Sequence, residues 1–167
     1  MKIYVDDSHV PYKSTEINAQ RTKAQIDGLL AEWGIRDYAW HWAPEDADVF
    51  VEFQFSETVA GITVKPVIRV SALIVWNRGS SRKAESINWD VTMRLVFWFI
   101  KTHLEAAYLS QSSRTEAFLP YIQSGEGGQN LAKVVISNLE RIQNMPALAA
   151  PKPEKIMVSV LELKKEG

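Results

Sequence analysis

Cysteine is absent from this 167-residue chain, which removes disulfide frameworks, thiolate zinc sites, iron–sulfur ligation and cysteine nucleophiles together. Histidine is nearly as scarce. His9, His41 and His103 stand far apart and form no H-x-x-x-H or H-E-x-x-H pair, so a metal centre would have to be assembled wholly by the fold. No G-x-S-x-G, Walker or G-x-G-x-x-G run occurs, and Gly125-Glu126-Gly127-Gly128 follows an expected helix instead of opening one after a strand. From these motifs no catalytic residue, metal or cofactor is expected. Long apolar runs are missing too: the longest, residues 95–100, falls far short of the ~20 residues that a membrane span needs. The Met1-Lys2 start lacks the apolar core of a signal peptide. The expectation is a soluble cytoplasmic protein with no membrane partner.

What is present suffices for a sizeable core. Hydrophobic residues make up 46% and charged residues 23% of the chain, close to the ~45–50% and ~25% of ordinary soluble domains. Residues 1–145 are expected to form one α+β domain, and residues 146–167, with Pro146, Pro151 and Pro153, a linker followed by a C-terminal strand or docking tail. Six Trp, five Tyr and six Phe pose the question of where the rings go.

Periodicity orders the elements. Met1 to Val5 reads as a brief strand, and a helix follows, capped by Ser14 or Thr15, with Glu16 in its first turn and Gly34 at its end. Tyr38, Trp40 and Trp42, then Val49, Val51, Phe53 and Phe55, alternate as in two strands of a hairpin turning at Pro44-Glu45-Asp46. A third run, residues 62–76, carries Ile62, Val64, Ile68, Val70, Ala72, Ile74 and Trp76 in one register, and Pro66 makes it an edge, a bulge or two shorter strands. The longest helix is expected from Arg82 to Leu109. Its stretch 95–100 is apolar on every face and calls for neighbours nearly all round, while Arg94, Trp98, Lys101 and Glu105 form a narrower strip with a Lys101–Glu105 pair. Helices at 115–123 and 130–143 complete a helical C-terminal third. The plan is α+β, with a helix-strand-strand-strand-helix core in which an antiparallel sheet packs on the long central helix.

The near-neutral total, 19 Lys and Arg against 20 Asp and Glu, hides an asymmetry. Between Glu57 and Lys101 seven basic residues face three acidic ones, a balance of +4 that leaves −5 for the rest. Lys65 and Arg69 share the strand parity opposite to the apolar register, and Arg78, Arg82 and Lys83 cluster where the long helix is expected to begin. Together they could line one rim of the domain and neutralise phosphates, or they could serve only to keep an edge strand solvated. Trp76 and Trp89 flank this basic stretch as candidates for base stacking, whereas Tyr38, Trp40 and Trp42 are assigned to the sheet-to-helix core. Asp46, Asp48 and Glu52 are similar in spacing to the acidic strand of Mg-dependent nucleases, but Gln54 stands at the lysine position.

Residues 89–148 resemble a group of uncharacterised small proteins of bacteriophages, prophages and viral metagenomes. The likeness is carried by Arg94, Ile100-Lys101-x-x-Leu104-Glu105-Ala106, Thr115-Glu116-x-Phe118-Leu119-x-Tyr121-Ile122 and Met145-Pro146-x-Leu148. It implies a viral setting, hence a host cytoplasm, and no particular activity. The element order also resembles double-stranded RNA-binding domains and, more loosely, single-strand annealing recombinases of the Rad52 type. Gly79-Ser80-Ser81-Arg82-Lys83-Ala84 is similar to the basic helix start with which the former grip phosphates.

The leading expectation is a viral, non-catalytic protein that binds or anneals nucleic acid through Lys65, Arg69, Arg78, Arg82 and Lys83, with Trp76 or Trp89 for stacking. The alternatives are a phage interaction module that forms a homo-oligomer through the tail at 156–163, and a Mg-dependent nuclease.

Overall fold

The computed structural model describes residues 2–59, 61–80, 84–124 and 129–137. The first apolar residues form a two-residue strand, β1 (Ile3–Tyr4), before Asp7 turns the chain by accepting the Tyr4 N–H at 2.8 Å. Helix α1 (Ala19–Glu32) starts later than Ser14 or Thr15. Its cap is Asn18, whose side chain accepts the Arg21 N–H at 2.8 Å, a position asparagine suits well. Gly34 follows the helix at φ +73°, the left-handed region that disfavours a Cβ by about 1 kcal/mol. Gly34→Ala is therefore expected to lower the thermal midpoint by about 2–4 °C, measured by circular dichroism.

β2 (Asp37–Ala43) and β3 (Asp48–Gln54) form the expected antiparallel hairpin, in register from Asp37↔Gln54 to Ala43↔Asp48 and joined by a 3-10 turn at Pro44–Asp46. The run 62–76 divides into three strands rather than one or two. β4 (Glu57–Val59) and β5 (Ile62–Val64) make a small hairpin, β6 (Val67–Ser71) begins just after Pro66, and β7 (Val75–Asn77) follows an irregular stretch. That stretch reverses the parity: Ile68 and Val70 are buried, but next comes Val75, not Ile74 or Trp76. A one-residue offset is enough to exchange the two faces of a strand.

β6 pairs with the free side of β3, giving the order β2-β3-β6. The Ala72 N–H donates to Val49 O at 2.8 Å, which fixes how the backbone of β6 points. Residues 68, 70 and 72 direct their N–H and C=O at β3, and residues 67, 69 and 71 turn theirs outward. An isolated antiparallel bridge between Ile68 and Ile122 covers this outer edge at the outward groups of residues 67 and 69.

The long helix also begins later than expected. β8 (Ser86–Ile87) pairs with β7, which pairs on its other side in parallel with β1. The Asn88 N–H donates to Val75 O at 2.8 Å while its side chain accepts the Val91 N–H at 3.1 Å. One residue thus closes the strand and caps α2 (Trp89–Leu109). Met93, Val96, Ile100, Leu104 and Ala107 are the buried stripe of α2, spaced by three and four as one helix face requires. Met93, Val96, Ile100 and Leu104 meet Ile26, Leu29 and Leu30 of α1 and the inward residues of β3 and β6 in one core, so both helices cover the same face of the sheet. Residues 95–100 are less enclosed than their composition suggests: Val96 and Ile100 are buried, and Leu95, Phe97, Trp98 and Phe99 only half so.

The stretch expected as a helix over 115–123 is one turn, α3 (Arg114–Ala117), then a 3-10 turn at Leu119–Tyr121 and β9 (Gln123–Ser124). β9 pairs with β10 (Gln129–Asn130), and α4 (Leu131–Ser137) follows. The remainder of the helix expected to 143, and the linker and tail at 146–167, lie outside the described residues. Among the described residues no helix is long and apolar enough to cross a membrane.

Candidate functional site

The basic residues singled out in the sequence fall on two different sheets. Arg78, after β7, lies between Asp6 and Asp7, with Nε 2.8 Å from one Asp6 oxygen and Nη2 2.9 Å from Asp7, and its guanidinium sits 4.1 Å over the Tyr4 ring. The Asp6 hydrogen bond leads the causes that hold its proton more tightly than usual. Trp76 has Lys2 over its ring at 4.3 Å, and Lys2 in turn is bonded to Glu85 at 2.6 Å. That bond comes first among the causes that keep the Glu85 carboxyl below its ordinary range, with the bond from Tyr4 next. Trp89 is half-buried against the main core and meets Trp42 at 5.2 Å. Arg82 and Lys83 lie outside the described residues. Since α2 starts at Trp89, both precede the helix instead of opening it.

Arg69 belongs to the other sheet, on the face of β2-β3-β6 that the helices leave open, and Lys65 lies in the link between β5 and β6. Cross-strand register assembles this face. His41 of β2 is opposite Phe50 of β3, and Arg69 of β6 is opposite Glu52 of β3. The His41 and Phe50 rings stack at 4.5 Å with an interplanar angle of 14°, and the Arg69 guanidinium lies 4.4 Å from the Phe50 centroid. β2 and β6 flank β3 on opposite sides, so histidine and arginine approach Phe50 from opposite directions. Arg69 is steadied by Glu52 at 2.8 Å, and His41 by Asp48 at 3.3 Å.

Two shallow depressions of about 220 and 270 Å³ continue the face away from this stack and share Asp37 and Gln54. Arg36, Ser56 and Lys65 line the larger one. Both cations are exposed, and neither has a hydrogen-bond or ion-pair partner among the described residues. Gln54 donates to the Asp37 carboxylate between them.

No family model matches the chain, and neither does any curated protein or solved structure. The reading of the site therefore rests on geometry. Arg36 and Lys65 line the larger depression, and Arg69 shares the open face with three carboxylates, Asp37, Asp48 and Glu52. The last two serve different neighbours: Asp48 engages His41 of β2, and Glu52 engages Arg69 of β6. Among the described residues no group of three His, Asp or Glu side chains is placed to hold a metal ion. His41, Phe50 and Arg36 were not singled out in the sequence. The signal for the first two was their common outward parity, which becomes a stack only once the hairpin register is known.

Proposed function

We propose that the protein binds single-stranded nucleic acid across the open face of the β2-β3-β6 sheet, with no catalytic step. The observation that carries this reading is the layered His41, Phe50 and Arg69 stack, with Arg36 and Lys65, which have no partner among the described residues, lining a depression that borders the same sheet. Bases stack on aromatic and guanidinium planes with little regard for sequence, and neighbouring cations hold the phosphates. The outer side of His41 is the place for a base, because Phe50 already has a neighbour from each adjacent strand. The phage-like resemblance of residues 89–148 suits such a protein, whose partner strands arise during genome replication and repair.

Carboxylates balance the cations here, so the electrostatic contribution is small. Two phosphate contacts, at Arg36 and Lys65, give log K a slope of about −1.4 against log salt for a single strand. Fluorescence anisotropy of a labelled oligothymidine tests this. His41→Ala is expected to weaken binding about tenfold, within the ~1–3 kcal/mol that one stacked base contributes. Glu52→Gln frees Arg69 for a third phosphate, so it should tighten binding and steepen the slope by about 0.7. No anisotropy change at low salt, or identical behaviour of both variants and the parent protein, would sink the proposal.

A second reading, an oligomeric interaction module, is favoured by the outer edge of β2. Among the described residues this seven-residue strand pairs only with β3, and Trp42 beside the edge is 45% exposed. Free edges accept strands from other chains. Sedimentation showing a monomer at every concentration tested would dismiss it.

A further inference from the structure

On the helix side of the fold, α2, the end of β6 and the Pro11-Tyr12 loop enclose a cleft of about 450 Å³, within the ~300–1,000 Å³ of small-molecule sites. Its walls are mainly apolar, and rings are prominent: Tyr12, Trp98, Phe99 and Tyr121. Tyr12 stacks on Trp98 at 5.7 Å and 7°, and it holds φ +61°, a conformation tyrosine rarely adopts. The loop thus lays a flat ring over another flat ring at the cleft wall.

Three polar features distinguish this cleft from a packing defect. Ser71 lines it, and the Ala72 to Val49 hydrogen bond obliges the Ser71 N–H and C=O to point away from β3. They lie past the Ile68–Ile122 bridge and find no backbone partner among the described residues. His103 also lines it, with Nδ1 2.8 Å from Phe99 O. A carbonyl only accepts, so Nδ1 carries the proton and Nε2 of the neutral ring is left as an acceptor. The Trp98 Nε1 donor is buried without a partner among the described residues.

We infer that this cleft binds a planar heteroaromatic molecule of the nucleobase class, read at one edge by the Ser71 backbone. A single strand residue presents an N–H beside a C=O, and the complement is a flat edge with an acceptor next to a donor, as bases carry. The ring faces along the cleft wall favour a flat π-system. An extended peptide is the poorer occupant, because the edge is open at one residue only: the Ile68–Ile122 bridge limits it on one side and the end of β6 on the other. The inference does not depend on the open-face reading, since His41, Arg36 and Lys65 are not part of the cleft wall.

The experiment is an NMR titration of the full chain with adenosine, guanosine, cytidine and uridine at millimolar concentration, with N6,N6-dimethyladenosine as the edge-blocked control. At least one nucleoside should shift resonances of Ser71, Trp98 and His103. If adenosine binds, its dimethylated form should bind about tenfold more weakly. Ser71→Pro deletes the outward N–H at an edge position where proline is tolerated, and should weaken binding about tenfold. Leu73→Arg, at a lining residue already 55% exposed, should block the cleft without loss of core packing, whereas His41→Ala should leave nucleoside binding unchanged. Silence from all four nucleosides overturns the inference. So does equal binding of adenosine and its dimethyl form, or binding that survives both Ser71→Pro and Leu73→Arg.

Discussion

Phe53→Ala is expected to lower the unfolding free energy by about 3–5 kcal/mol, the range for removing a large ring from a well-packed core. Phe53 lies near the end of the central strand, opposite Tyr38 on one side and Ile68 on the other. Only 2% of it is exposed, and its ring meets the edge of the fully buried Phe118 at 5.4 Å and 87°. Phe118 in turn packs on His103 at 5.2 Å. The cavity left by alanine would thus sit where the sheet, α2 and the segment after α3 converge, with rigid elements on every side to resist collapse. Since small domains are stable by only ~5–15 kcal/mol, the variant should unfold at a much lower urea concentration. Phe53→Leu keeps most of the volume and should lose under about 2 kcal/mol. Equal midpoints for the alanine variant and the parent protein would show that this region is not part of the cooperative core.

The second large effect is expected at Glu57. This carboxylate accepts the Arg114 N–H at 3.0 Å, the Thr115 N–H at 2.9 Å and the Thr115 hydroxyl at 2.8 Å, and the Arg114 side chain lies 3.5 Å away. It satisfies the first two N–H groups of α3, while Ser113 accepts the next, from Glu116, at 3.0 Å. Desolvation is the largest single influence on the Glu57 carboxyl and raises its pKa. The two backbone hydrogen bonds, the Thr115 hydroxyl and the Arg114 charge together outweigh it and leave the pKa lowered. Glu57→Ala strips partners from three donors, and its expected cost at pH 7 is about 2–4 kcal/mol.

The pH dependence follows from the direction of that shift. A carboxyl whose folded pKa is depressed contributes stability that is fully present above its unfolded value. That contribution is lost as pH falls through the folded pKa. Denaturation of the parent protein and of Glu57→Gln should therefore differ most above about pH 4.5, the ordinary value of this group, and converge in acid. A difference that is constant from neutral to acid pH would mean that the charge of Glu57 contributes nothing.

Local pattern carried the legible part of the fold. Alternation from Tyr38 to Phe55 marked the β2–β3 hairpin and its inward residues except Trp42, which was assigned to the core and is exposed, and Pro66 marked a strand break. On α2 the expected strip of Arg94, Trp98, Lys101 and Glu105 stays outside the buried stripe, and Lys101 pairs with Glu105. What could not be read depended on partners distant in the chain. Asn88 caps α2 because the strand pairing of residues 86–88 leaves it there, whereas the helix expected from the sequence began at Arg82, directly after the polar residues 77–81. The reversal of parity before Val75 follows from an irregular stretch that has no proline or glycine to announce it. Charge counted by stretches of sequence gave a basic middle. In space Arg69 faces Glu52, Arg78 faces Asp6 and Asp7, and Arg114 faces Glu57. Among the described residues the cations without a partner beside the sheet are Lys65, which the sequence suggested, and Arg36, which it did not.

The parallel pairing of β1 with β7 bears on the order in which the molecule is made. Asp6 and its partner Arg78 are 72 residues apart, and at roughly 5–20 residues per second a ribosome needs about 4–14 s to produce the second after the first. Until residue 75 is made, Ile3, Val5 and Val10 have neither Val75 nor Val91 to pack against, while the β2–β3 hairpin has both its strands once Gln54 is made. The opening segment is thus synthesised first and settles late, held in waiting until the strand and helix that complete its cluster have emerged.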